Sequence, residues 1–196
     1  LVSATMVNCK SKCDGTIDVT PTGGSGDYTF DWFDHPSRPV SEDLTDVCEG
    51  TYNVEIQDKN GCLDTLSKII TEPDTLVGSV LSSTNILCYG DTAAEASITQ
   101  TGGTSSSGFY TYNWFDAPTN PAIANHFLLP AGEFRVEVTD DKGCSDTVPV
   151  SITQPAEALT SFISDTIHVF CKNTCTGEVE VTAQGGTGDY DYLWYN

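Results

Sequence analysis

Gly50-Thr51-Tyr52-Asn53-Val54-Glu55-Ile56-Gln57-Asp58-Lys59-Asn60-Gly61-Cys62 is the stretch that decides the fold. Tyr52, Val54 and Ile56 alternate with Thr51, Asn53 and Glu55, so one face is apolar and the other polar. A two-residue period of that kind belongs to a strand with one buried and one wet face, the antiparallel pattern. Asn60-Gly61 then carries the signal of a tight hairpin into the next strand. The stretch recurs. Gly132-Glu133-Phe134-Arg135-Val136-Glu137-Val138 repeats the strand, and Asp140-Asp141-Lys142-Gly143-Cys144 repeats the turn.

Working outward, the rest of the chain repeats in the same order with a shift of about 80 residues. Cys9, Cys88 and Cys171 align. Gly23-Gly24, Gly102-Gly103 and Gly185-Gly186 follow. These lead into Tyr28 to Trp32, Tyr110 to Trp114 and Tyr190 to Trp194. Ile70-Thr71-Glu72-Pro73 matches Ile152-Thr153-Gln154-Pro155. The copies span 1–76, 77–159 and 160–196, the third holding only a first half. In the first copy strands are expected near 2–8, 15–20, 27–34, 40–45, 50–58 and 61–71. No window places apolar residues at i, i+3, i+4 and i+7 over three turns, so helices are not expected. The reading is all-β: tandem Ig-like antiparallel β-sandwich repeats in an extended array. Half a sandwich cannot bury its core, so the remainder of a third copy is expected in the intact protein.

Composition narrows the function. With 28 acidic against 8 basic residues the net charge is −20. Such a surface repels nucleic acid and anionic membranes, so neither is an expected partner. No apolar run approaches the ~18 residues of a membrane span, so no membrane insertion is expected. Eight cysteines without a C-x2-C pair read as disulfides, which form in an oxidising compartment outside the cytoplasm. With no initiator Met and no signal peptide, the chain reads as an internal piece of a longer precursor.

Together these landmarks resemble the SprB repeat of Bacteroidota. The match runs through Cys9, Gly15-Thr16-Ile17, Gly23-Gly24, Tyr28 to Trp32, Gly50 to Asp58, Gly61-Cys62 and Pro73, and again through Cys144 and Pro155. The resemblance implies a large, multi-repeat cell-surface protein. The best-known members are adhesins of gliding bacteria, exported by the type IX secretion system. It transfers no catalytic residues. Its implied partners are neighbouring repeats of the same chain, with surface polysaccharide or other cell-surface proteins beyond them.

Candidate chemistry is sparse. His35, His126 and His168 do not align between copies and read as loop or strand-surface histidines. None sits in a nucleophile motif, so no catalytic residue is assigned and no enzyme is expected. No cofactor is expected. Asp58, Asn60, Asp140 and Asp141 are calcium candidates because they cluster hard oxygens in turns. Solvated turn carboxylates that bond nearby backbone N–H groups are the alternative. Trp32, Trp114 and Trp194 read as core aromatics, Trp32 in phase with Tyr28 and Phe30; exposed, they would be sugar platforms.

Cys88 and Cys144 are the only cysteines of the second copy, so Cys88–Cys144 is expected by elimination and Cys9–Cys62 by homology between the copies. Cys13–Cys48 is the remaining pair of the first copy. The rival is Cys9–Cys13 with Cys48–Cys62. Partners of Cys171 and Cys175 are expected beyond residue 196. The reading is therefore the structural repeat region of a secreted cell-surface adhesin or filament. The alternatives are a carbohydrate-binding module array and an accessory region of a secreted enzyme.

Overall fold

A computed structural model describes residues 1–106, 108–173 and 175–195. Every regular element among them is a strand. The first copy supplies β1 (Val2–Thr5), β2 (Gly15–Val19), β3 (Thr29–Asp31), β4 (Leu44–Val47), β5 (Gly50–Gln57) and β6 (Leu63–Ile70). The second supplies β7 (Val77–Ser83), β8 (Ala94–Thr101), β9 (Thr111–Phe115), β10 (Asn125–Leu129), β11 (Gly132–Thr139) and β12 (Ser145–Ile152). The third supplies β13 (Thr160–Ile167) and β14 (Glu178–Gln184). Among the described residues no helix is long and apolar enough to cross a membrane.

Strands pair in the order β1-β2-β4 and β3-β5-β6, and their repeats in the order β7-β8-β10 and β9-β11-β12; β13 pairs with β14. The chain thus changes sheet between β2 and β3, again between β3 and β4, and again between β4 and β5. Both sheets of the first copy are antiparallel, with Val2 opposite Val19 in one and Gly50 opposite Ile70 in the other. Their facing sides enclose Ile17, Val19, Trp32, Leu44, Val54, Ile56 and Ile70. Val54 and Ile56 of β5 are buried while Thr51 and Glu55 are exposed, as the alternation requires. The fourth strand begins later than the sequence pattern implies. Pro39 has no N–H to give a ladder, and the carboxylate of Asp43 accepts the Val19 N–H at 3.0 Å, so pairing with β2 starts at Leu44.

Packing divides the chain into two compact units. One holds Leu1–Gly78, Gln100–Thr111 and Val138–Asp146; the other holds Ser79–Thr99, Tyr112–Glu137 and Thr147–Asn196. The units follow packing rather than the sequence period. The first adds to copy one the Gly-Gly turn and the Gly-Cys hairpin of copy two.

Trp32 and Trp114 are 1% and 2% exposed. Each donates its indole N–H to a backbone carbonyl, Ser41 O at 2.9 Å and Ile123 O at 3.0 Å. Trp194 corrects the expectation of a third core aromatic, since it is 63% exposed. Trp32 packs in the core of its copy with Ile17, Val19, Val54 and Ile70. The third copy has only β13 and β14 among the described residues, and no strand covers Trp194. His126, read as a surface residue, is buried instead. It packs edge-on against Trp114 with ring centroids 5.1 Å apart, and its Nε2 lies 2.8 Å from Thr119 O.

Candidate functional site

Two small devices are built the same way in both complete copies, and they hold the recurring cysteines. The first is the hairpin between the last two strands. In copy one, Asp58 and Cys62 bracket a three-residue loop, with Asp58 N–H donating to Cys62 O at 3.0 Å and Gly61 N–H to Asp58 O at 2.9 Å. Gly61 alone in this loop takes a left-handed φ, +84°, so this is a turn followed by a glycine bulge rather than a two-residue Asn-Gly turn. One Asp58 oxygen accepts the N–H groups of Asn60 and Cys62, each at 2.9 Å. The other accepts the Ser25 N–H at 3.0 Å and its Oγ–H at 2.9 Å.

Copy two reproduces the frame. Asp140 accepts Lys142 N–H and Cys144 N–H at 2.9 Å each, and Thr104 N–H at 2.6 Å. The Gly-Gly landmark follows from this approach. A Cβ on Gly24 would stand 2.9 Å from Asp58 Oδ2, and one on Gly103 2.7 Å from Asp140 Oδ2. In all three copies the first Tyr hydroxyl of the aromatic motif donates to the first glycine carbonyl: Tyr28 to Gly23, Tyr110 to Gly102, Tyr190 to Gly185.

The second device is the loop after the first strand. Lys12 N–H donates to Cys9 O at 3.0 Å, as Asp91 N–H does to Cys88 O at 3.1 Å. Val7 N–H is tied to Thr71 O, and Ile86 N–H to Thr153 O. The Glu72 carboxylate accepts Ser11 N–H at 2.7 Å and pairs with Lys10; the Gln154 amide oxygen accepts Gly90 N–H at 2.8 Å. Each first-cysteine loop is therefore pinned to the far end of its own last strand.

That placement overturns two expected disulfides. Cys62 lies just before β6, whereas the Cys9 loop is pinned just beyond its end. An eight-residue strand spans about 26 Å, several times the Cα separation a disulfide permits. The same holds for Cys88 and Cys144 at the two ends of β12. Cys9 is instead bonded to Cys144, with Cα atoms 5.5 Å apart and 135 residues between them. Cys62 and Cys88 are exposed free thiols. Elimination failed because it treated each copy as a closed unit. A copy with two cysteines at its opposite poles serves equally well as a link with a neighbour on each side. Cys13 is bonded to Cys48. Thr104 Oγ1 donates to Asn8 O at 3.4 Å beside the Cys9–Cys144 bridge.

Three of the calcium candidates, Asp58, Asp140 and Asp141, have their carboxylates hydrogen-bonded within the protein. Asp58 and Asp140 spend their oxygens on backbone N–H groups, and Asp141 accepts the N–H and Oγ–H of Ser106. Among the described residues no three His, Cys, Asp or Glu side chains are grouped to hold a metal ion. EDTA should therefore leave the melting curve in place, and a drop of many degrees would contradict this assignment. His35 Nδ1 meets the N–H and Oγ of Ser37 within one exposed turn, a local contact rather than a catalytic dyad.

Hydrogen bonds to its ionised form, from Cys62 N–H first and Ser25 N–H next, hold the Asp58 carboxyl down to about 2 from its ordinary 3.8. A depressed folded value means stability that is present above 3.8 and is lost as pH falls through about 2. Asp58→Asn should flatten the acid dependence of the melting midpoint in that window. A midpoint that falls equally steeply in both proteins would contradict the assignment.

A family model described as SprB repeat matches residues 2–35, 80–119 and 166–196, together more than half of the chain. No curated protein matches. Among solved structures, the chain is similar to a C-terminal 282-residue fragment of intimin in complex with the intimin-binding domain of its translocated receptor. The identity is 14% over 84% of this chain and 66% of that one, with a TM-score of 0.40. It is also similar to the N-terminal eight Ig domains of Down syndrome cell adhesion molecule, at 13% over 85% and 25%, TM-score 0.35. A third is the fibronectin(III)-like modules of Clostridium thermocellum CbhA, at 12% over 78% and 94%, TM-score 0.32. The chain thus spans 66% of the intimin fragment and 25% of the adhesion-molecule fragment.

Proposed function

Because this chain belongs to the SprB repeat family, and Trp32 and Trp114 serve the core, we propose that it is a non-catalytic repeat region of a large extracellular, cell-surface adhesin or filament. The observation that carries this reading is the burial of Trp32 and Trp114, each with its indole N–H satisfied by backbone. A sugar platform needs an open aromatic face, whereas a spacer needs a core that can be copied. Hydrogen-bonded turn carboxylates and a net charge of −20 fit the same role, since they fix hairpins and keep a long repetitive surface soluble. Neighbouring repeats are the first partners of such a region. Surface polysaccharide or other surface proteins would be met by another part of the protein. The finer form of the proposal is a gliding-motility adhesin exported by type IX secretion.

Antibody raised against the chain should label intact, unpermeabilised cells of the source bacterium, and the chain should give no signal on a glycan array. Labelling only after permeabilisation would contradict the surface role. Micromolar glycan binding by the folded chain would favour the module-array alternative.

A further inference from the structure

The two devices described above occur twice each, and only one of each is joined. The Cys9 loop is bonded to the Cys144 hairpin. The Cys88 loop repeats the backbone hydrogen bonds that frame the Cys9 loop, and the Cys62 hairpin repeats those that frame the Cys144 hairpin, yet Cys62 and Cys88 are exposed thiols. We propose that Cys9–Cys144 is one link of a disulfide repeated between successive SprB repeats, and that Cys62 is an open receiving half whose occupant is the first-cysteine loop of another SprB repeat.

The receiving half is prebuilt. Asp58 fixes the Cys62 N–H as Asp140 fixes that of Cys144, so the backbone that presents each sulfur is the same. Ser25 stands where Thr104 stands. Thr104 Oγ1 reaches the carbonyl of Asn8 in the docked loop. Ser25 Oγ, with no loop docked, turns back onto Asp58. Beside Cys62 a hollow of about 270 Å³ is lined by Leu1, Gly24, Tyr28 and Asp58. The donating half at Cys88 also faces open space, a hollow of about 860 Å³ bordered by Tyr89, Tyr190, Tyr192 and Trp194. Bond formation joins two Sγ atoms and releases two protons and two electrons. A small-molecule disulfide such as oxidised glutathione accepts them and becomes two thiols. The bridge deepens the array role, but sulfur connectivity is measured independently of whether the protein adheres.

The test extends the chain by one repeat. Leu76 abuts Gly103 and Leu159 abuts Gly186, and Leu1 stands one residue before β1 as Leu76 does before β7 and Leu159 before β13, so the three leucines open their copies at the same register. Residues 76–158 placed directly ahead of Leu1 therefore recreate a natural junction. In glutathione buffer, peptide mapping should recover the added copy of Cys88 bonded to Cys62. Maleimide should label Cys62 in the 196-residue chain but not in the extended one. Cys62→Ser should leave the added Cys88 reactive. A Cys62 that is still labelled while Cys9–Cys144 is intact overturns the proposal. The unextended chain is the second measurement: Cys62 and Cys88 should react with maleimide while Cys9 and Cys144 stay blocked, and a recovered Cys9–Cys62 peptide overturns the proposal at its root.

Discussion

Cys9→Ser or Cys144→Ser lowers the unfolding free energy by about 5 kcal/mol, and Cys62→Ser or Cys88→Ser leaves it nearly unchanged. The size comes from the 135 residues between the bonded cysteines, since in the chain-entropy model a cross-link stabilises more as the loop it closes lengthens. Small β-sandwich cores are marginal, so a loss of that size is a large share of the total. The free thiols at Cys62 and Cys88 close no loop and bury no side chain, which is why their replacement costs little. Urea unfolding of the four variants separates the cases. If Cys62→Ser destabilised as much as Cys9→Ser, those two residues would be partners after all.

Trp114→Ala lowers stability by roughly 3–5 kcal/mol, the usual cost of emptying a core aromatic site, and Trp32→Ala does the same. Trp114 is 2% exposed, sits edge-on against buried His126, and anchors Ile123 O through its indole N–H. Truncation loses the packing and leaves a buried carbonyl without its donor. Trp194 occupies the same place in the sequence motif but is 63% exposed, so Trp194→Ala should fall within about 0.5 kcal/mol of the parent, as surface substitutions do. The contrast between two residues of one motif controls for generic effects of removing tryptophan. Equal effects at Trp114 and Trp194, measured by urea unfolding, would contradict this account of the core.

The sandwich was legible because its signals are local. The alternation of Tyr52, Val54 and Ile56 sets the buried face of β5, and the Asp58 to Gly61 turn sets the start of β6. Gly23-Gly24 and Gly102-Gly103 sit between consecutive strands, where the chain reverses. Their second purpose, making room for Asp58 and Asp140, was not visible because the carboxylate arrives from more than 30 residues away. The cysteine pairing was illegible for a related reason. Nothing local says that the Cys9 loop is pinned beyond the end of β6 by Val7 and Glu72, and without that fact nothing separates Cys62 from Cys9. His126 was misjudged because His is read as polar, while here its ring completes the packing around Trp114.

Non-reducing peptide mapping of the oxidised 196-residue chain tests the central claim most directly: the recurring cysteines of an SprB repeat link it to its neighbours rather than closing it on itself. The account predicts recovery of a Cys9–Cys144 peptide and a Cys13–Cys48 peptide, with Cys62 and Cys88 carrying the alkylating label. Recovery of Cys9–Cys62 together with Cys88–Cys144 would contradict it.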